Sequence, residues 1–259
     1  LSERSGDKAT AAKLRSAADD LKERFNRDFW LEDKSFYAIA LQKNNRPAAV
    51  ISSNPGQALW TGIVDDARAE AVVKALTASD MFSGWGVRTL STNAPRANPI
   101  GYHLGTVWPH DNSIIAAGFR RYGFDEQAVQ VLDGILHAAR YFEHYRLPEV
   151  FAGFSRQQFG VPVRYPVACH PQAWAAGSVP FLMTSLLGLV PDAFNGRLHV
   201  RRPVLPDHVN EINFHRIRIG KGTVDLRFRK TSSGVQVEAE NATHGVEVNV
   251  EAERQTKAA

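Results

Sequence analysis

A single cysteine, Cys169, among 259 residues leaves no internal disulfide to form and no cysteine pair with zinc or redox spacing. The nine histidines include neither an HExxH nor an HxH pair, so no metal and no cofactor are expected. Apolar runs of the ~18 residues that a membrane span needs are missing, which excludes a transmembrane reading. Long basic runs are missing too. The net charge is +4 and the pI near 9.3, yet Lys and Arg are scattered and leave no nucleic-acid footprint. The N-terminal Leu1-Ser2-Glu3-Arg4 is polar and has no signal-peptide apolar region, which points to a cytoplasmic protein. It also lacks an initiator methionine, so the true start is expected upstream.

What is present is an ordinary globular composition, 44% apolar and 22% charged, enough for one large domain or a medium and a small one. Leu14, Ala17, Leu21, Phe25 and Phe29 recur at helical spacing over residues 10–30. Residues 36–52 read as extended with a turn at Asn44-Asn45, and helical spacing returns over 56–78 through Leu59, Ile63, Ala67, Ala71 and Leu76. Residues 79–110, rich in Gly, Pro, Ser and Asn, read as a long loop, and loops of that length usually carry function. Further helices are expected over 112–122, over 125–143 with Asp125 as N-cap, and over 171–189 with Pro171 in its first turn. The last is apolar on nearly every side and is expected to be deeply buried. After Arg197 the period changes from 3.6 to 2: Val224, Leu226 and Phe228 alternate with Asp225, Arg227 and Arg229. The predicted organisation is a helical domain over 1–190, a small antiparallel β unit over 197–251 and a frayed tail over 252–259. The sequon Asn241-Ala242-Thr243 stands at chance level without a secretory signal.

Four segments at or between helix ends gather chemistry. Gly105-Thr106-Val107-Trp108-Pro109-His110-Asp111-Asn112 crowds an aromatic, an imidazole, a carboxylate and an amide at a helix start. Sugars present flat C–H faces and rings of hydroxyls, so their sites pair aromatic platforms with planar hydrogen-bonding groups. The plainer alternative makes Asp111 or Asn112 the N-cap and Trp108 a core residue. In Arg146-Leu147-Pro148-Glu149-Val150-Phe151, Pro148 stops the preceding helix and sets Glu149 among apolar neighbours. Partial desolvation there would lift its pKa and suit a general base, while the alternative is a surface glutamate beyond a helix end. In Tyr165-Pro166-Val167-Ala168-Cys169-His170-Pro171-Gln172-Ala173-Trp174, Gln172 and Trp174 could face the same pocket, against packing for Trp174 and capping for His170. Phe82-Ser83-Gly84-Trp85-Gly86-Val87-Arg88-Thr89 adds Trp85 and Arg88 as further substrate-binding candidates.

The order Ser53-Asn54-Pro55-Gly56, then Asp80 to Leu90, then Trp108-Pro109-His110-Asp111, Leu147-Pro148-Glu149 and Cys169-His170-Pro171-Gln172-Ala173-Trp174 resembles bacterial glycogen-debranching-type amylo-α-1,6-glucosidases. The resemblance spans about residues 10–230. It implies an (α/α)6 toroid and inverting hydrolysis of α-glucosidic bonds in an α-glucan or oligosaccharide. It further implies Glu149 as general base, with Trp108, His110 and Asp111 lining the glucose subsite. The family's general acid is an aspartate in a Trp-Lys-Asp-Ser-like segment of the first half of the barrel, and no such segment exists here. The resulting expectation is a mainly α chain: the C-terminal half of a toroid followed by a small antiparallel β unit, inactive alone. Its apolar flank would be covered by the missing N-terminal half of the barrel or by self-association. Two other readings remain open: a toroid glycosidase for trehalose-like or mannosyl substrates, and a non-catalytic carbohydrate-binding module.

Overall fold

The computed structural model describes residues 1–251, so the tail expected over 252–259 lies outside the described residues. The helices are α1 (Lys8–Asp28), α2 (Asn54–Thr61), α3 (Asp66–Thr77), α4 (Pro109–Arg121), α5 (Asp125–Ala139), α6 (Arg156–Phe159) and α7 (Ala173–Leu186). A short hairpin, β1 (Trp30–Leu31) and β2 (Phe36–Tyr37), follows α1. After α7 come β3 (Leu189–Asp192), β4 (Arg197–Arg201), β5 (Glu211–Ile219), β6 (Gly222–Thr231), β7 (Gly234–Glu240) and β8 (Glu247–Glu251). Helix and strand are therefore mixed more evenly than the expected mainly α class.

Helix α4 is the centre of the helical part and packs against α2, α5 and α7. Leu59, Ile115, Phe119, Leu132, Ile135 and Leu182 meet there, fully buried. Burying side chains of this size is worth roughly 1.5–3 kcal/mol each. The helix expected over 56–78 is in fact two, because Gly62 adopts φ 79° and ends α2 in the left-handed region that glycine enters at little cost. In α5 the cap is Phe124; Asp125 and Glu126 instead occupy the first turn, where their charges face the positive end of the helix.

Two expected burial patterns fail for the same reason. Leu14 and Leu21 of α1 are 59% and 51% exposed, because the core reaches only the C-terminal end of that helix. There Phe25 stacks on Phe29 and Tyr37, with ring centroids 5.1 and 4.8 Å away. Asn26, buried beside them, donates to the Ile63 carbonyl and accepts from the Asp65 amide. Likewise α7 buries Ala175, Ser178, Leu182 and Leu186 but leaves Trp174, Ala176, Gly177 and Pro180 exposed or half-buried. Its apolar composition reads as buried all round, whereas the described residues supply a neighbour on one side. Pro171 lies outside this helix, which is entered from Gln172.

The strands that follow α7 form two three-stranded sheets, ordered β3-β4-β8 and β5-β6-β7. All pairings are antiparallel except β4 with β8, which run parallel and correct the expected wholly antiparallel unit. A parallel pair needs a long crossover, and β5 to β7 supply it. Leu198, Val200, Val224, Leu226 and Phe228 close a second core. Outward faces carry ion pairs across the strands: Arg197–Glu247, Arg201–Glu251, Arg229–Glu211 and Arg227–Glu238. Arg120 joins the two cores. It is 6% exposed, pairs with Asp125, and donates to the carbonyls of Ser185, Arg201 and Arg202. Among the described residues no helix is long and apolar enough to cross a membrane.

Candidate active site

The chemistry-bearing loops lie side by side in a frame of single-residue antiparallel bridges, Arg88 to Val107, Val107 to Phe151, and Phe151 to Arg164. Val107 and Phe151 exchange both backbone hydrogen bonds, at 2.9 and 3.1 Å. This places Trp108 and Glu149, one and two residues away from those positions, on one rim. Gly153 makes the frame possible, since a Cβ there would lie 1.6 Å from the Gly105 carbonyl oxygen. Gly153→Ala is therefore expected to destabilise the fold by about 1–3 kcal/mol, the usual cost of overpacking. Urea denaturation checks this, and an unchanged midpoint would mean that the loops can separate freely.

Helix α4 begins directly at Pro109, with Trp108 extended at φ −113° and ψ 118°. Asp111 and Asn112 consequently sit inside the first turn, and neither is the cap. Asn112 acts as a strand partner by side chain: its Oδ1 accepts from the Val87 amide (2.6 Å) and its Nδ2 donates to the Val87 carbonyl (3.1 Å). Asp111, 5% exposed, accepts from Gln57 Nε2 of α2 at 2.7 Å. Trp108 is mostly buried and its indole N–H is used, donating to Thr106 Oγ1 and the Tyr102 carbonyl, so only its ring is offered.

Trp108, His110, Asp111 and Trp174 line one cavity of about 750 Å³, together with Asn54, Gln57, Arg96 and His103. The aromatics are mutually ordered. His103 stacks on Trp108 (5.2 Å, 11°) and His110 on Trp174 (4.0 Å, 29°), and Trp108 meets His110 edge-on. Trp174 is 58% exposed, and its ring borders the cavity. Burial holds the His110 imidazole below its usual pKa, against the opposing pull of Asp111 and Glu149, and favours the neutral ring.

Glu149 and Tyr102 are not on the cavity wall; they adjoin it behind Trp108. The Tyr102 hydroxyl donates to Glu149 Oε1 at 2.6 Å, while the Tyr102 ring meets Trp108 edge-on at 4.7 Å. The Cys169 amide donates to Glu149 Oε2 at 3.2 Å. These two hydrogen bonds, the Tyr102 one foremost, hold the carboxyl below the usual glutamate range; the small effect of burial is overridden. The expected upward shift by desolvation is thus reversed, and Glu149 is anionic throughout the neutral range. Tyr102 is correspondingly pushed up to about 12, chiefly by the same hydrogen bond.

The remaining candidates sit elsewhere. Trp85 is 1% exposed in the helical core, meeting Tyr141 edge-on with Arg156 over its ring. Arg88 is buried and spends its guanidinium on the carbonyls of Gly153 and Ser79. Gln172 precedes α7 and is not on the cavity wall. Gln57, Tyr102 and His103 went unnoticed in the sequence. Gln57 directly follows the Ser-Asn-Pro-Gly segment, but its reach across to Asp111 requires the α2–α4 packing to be known.

A family model described as the mannosylglycerate hydrolase MGH1-like glycoside hydrolase domain matches residues 1–157. Comparison with curated proteins finds no match. Among solved structures, a chain titled sialidase is similar in fold, with a TM-score of 0.73 and 15% identity, over 92% of this chain and 23% of its own length. A GH63 mannosylglycerate hydrolase from Thermus thermophilus in complex with glucose is 21% identical over 61% of this chain and 35% of its own, with a TM-score of 0.46. An uncharacterized conserved protein from the same organism gives 22%, 60%, 36% and 0.48. The chain thus spans well under half the length of each of these structures.

Proposed function

We infer, from the premise that this chain belongs to the mannosylglycerate hydrolase MGH1-like glycoside hydrolase family, that it forms the base-bearing side of a glycosidase active site. One observation carries the reading: an ionised glutamate stands on the same rim as a cavity walled by Trp108, His110 and Trp174 and furnished with the Asp111 carboxylate. Glu149 acts as general base on a water molecule. The aromatic rings take the apolar face of a sugar, and Asp111, oriented by Gln57, accepts from its hydroxyls. Inversion requires a second carboxylate as acid roughly 6.5–9.5 Å from the base, leaving room for the water. In this reading the acid belongs to a part of the enzyme beyond this chain, whose helices form about half of an (α/α)6 toroid.

The substrate proposed is an α-glucosidic bond of the amylo-α-1,6 type, on the ordered motifs from Ser53 to Trp174. A second reading, an α-mannosyl or related glycoside with an acidic aglycone, is favoured by the family's name and by Arg96. That side chain is exposed on the cavity wall, where it suits a carboxylate. Sugar release separates the readings. A branched α-glucan, a maltooligosaccharide and mannosylglycerate are each offered to residues 1–259 and to a longer protein that contains them. Turnover by the longer protein is expected, and none at a useful rate by the shorter. Glycan binding with no turnover by either would favour a non-catalytic carbohydrate-binding module.

A further inference from the structure

We propose that Tyr102 is the positioning residue of this site, fixing both the general base and the aromatic wall through one side chain and one carbonyl. The inference rests on the reading of Glu149 as the base.

Three hydrogen bonds, made at opposite ends of the residue, support it. The hydroxyl donates to Glu149 Oε1, and the backbone carbonyl accepts from Trp108 Nε1 (3.2 Å) and Thr106 Oγ1 (2.7 Å). Between them the ring lies against Trp108, His103 and Tyr165, at centroid distances of 4.7, 4.6 and 5.6 Å. The backbone that carries Tyr102 is itself closed. Asn98 donates to the Leu104 carbonyl (2.7 Å), Leu104 to that of Gly101 (2.9 Å), and Gly105 to Thr89 Oγ1 (2.9 Å). A turn held in this way gives the ring one place to lie. Glu149 Oε2 is meanwhile bound by the Cys169 amide, so the carboxylate is gripped at both oxygens and its plane is set. A carboxylate that must take a proton from one particular water gains from such fixing, because misplacement of the reacting atoms is costly in rate.

The Tyr102 bond favours the anion, so its removal moves Glu149 toward the ordinary glutamate range. The other titratable groups facing Glu149 are the Cys169 thiol, on the segment beyond Phe159, and His110 on α4, while Tyr165 faces Tyr102. All three remain when only the hydroxyl is removed, so a difference between proteins reads Tyr102 alone.

The test is Tyr102→Phe in the full chain, with ¹³C-labelled glutamate carboxyls followed by NMR against pH and assigned by Glu149→Gln. The Glu149 resonance is expected to titrate below ordinary glutamate in the parent and to move up in the variant, with the thermal midpoint and the Trp108 indole signal retained. In the active enzyme, kcat at neutral pH falls about tenfold with KM nearly constant, and the acidic limb of the pH profile moves up with the resonance. An unchanged Glu149 titration would overturn the inference, as would a shifted titration with unaltered kcat. Failure of the base reading looks different: Glu149→Gln would then keep full activity while the resonance still responds to Tyr102→Phe. Should Tyr102→Phe lose its fold, Tyr102→Trp, which keeps an aromatic ring but not the hydroxyl, repeats the titration.

Discussion

Glu149→Gln in the active enzyme lowers kcat by about 10²–10⁴-fold, the contribution general to acid or base assistance, while KM stays close to the parent's. That loss equals about 3–5 kcal/mol of transition-state stabilisation. The substitution is well suited to the question because it alters charge and little else. A glutamine carbonyl can still accept from Tyr102 or from the Cys169 amide, so the rim keeps its shape. An amide, however, does not take a proton from water near neutral pH. Steady-state kinetics on the hydrolysed glycoside measures the effect, and circular dichroism verifies the fold. Parental rates in the variant would remove Glu149 from the reaction and leave the aromatic cavity as a binding site.

Arg120→Met has the largest expected effect on stability, a loss of about 3–5 kcal/mol, as for a buried ion pair broken by removing one partner. The change strands Asp125 and leaves the carbonyls of Ser185, Arg201 and Arg202 without their donor at the seam between the two cores. Arg202 lies 3.7 Å from Asp125 on the same seam and compensates only in part. Guanidinium denaturation followed by tryptophan fluorescence and by far-ultraviolet circular dichroism should lose its coincidence, since all five tryptophans precede β3. Arg120→Lys is expected to fall between, keeping the charge but not the planar fork. A loss under about 1 kcal/mol would show that the guanidinium is no better than a surface pair.

Periodicity made much of this fold legible. The change near Arg197 from a repeat of 3.6 to one of 2 anticipates the strands, and Leu132, Ile135 and Ala128 mark the buried face of α5. Where the reading failed, it failed on neighbours. A stripe such as Leu14–Leu21 records that a helix is amphipathic, not that something lies opposite it. The parallel pairing of β4 with β8 is set by a contact between segments some fifty residues apart, which no local pattern encodes. The site divides in the same way. Trp108, His110, Asp111 and Trp174 stand together, on segments whose composition already suggested sugar chemistry. Trp85 and Arg88 share that composition, but a glycine-flanked turn carries them into the core. The state of Glu149 depends on Tyr102, forty-seven positions earlier in the chain, and so the sign of its pKa shift could not be read from its own neighbours.

The charge pattern of the two sheets has a consequence for solubility. Open sheets invite further strands to join at their edges, and among the described residues three devices blunt the four edges. Strand β3 is four residues long and includes Pro191, which has no amide hydrogen to donate. Strand β5 breaks register between Phe214 and Ile217. Strands β7 and β8 carry Glu238, Glu240, Glu247 and Glu251, charged side chains of the kind that discourage pairing at an edge. The strand-rich end of the molecule is thereby protected against aggregation by pairing of its own sheets, independently of whatever the helical end binds.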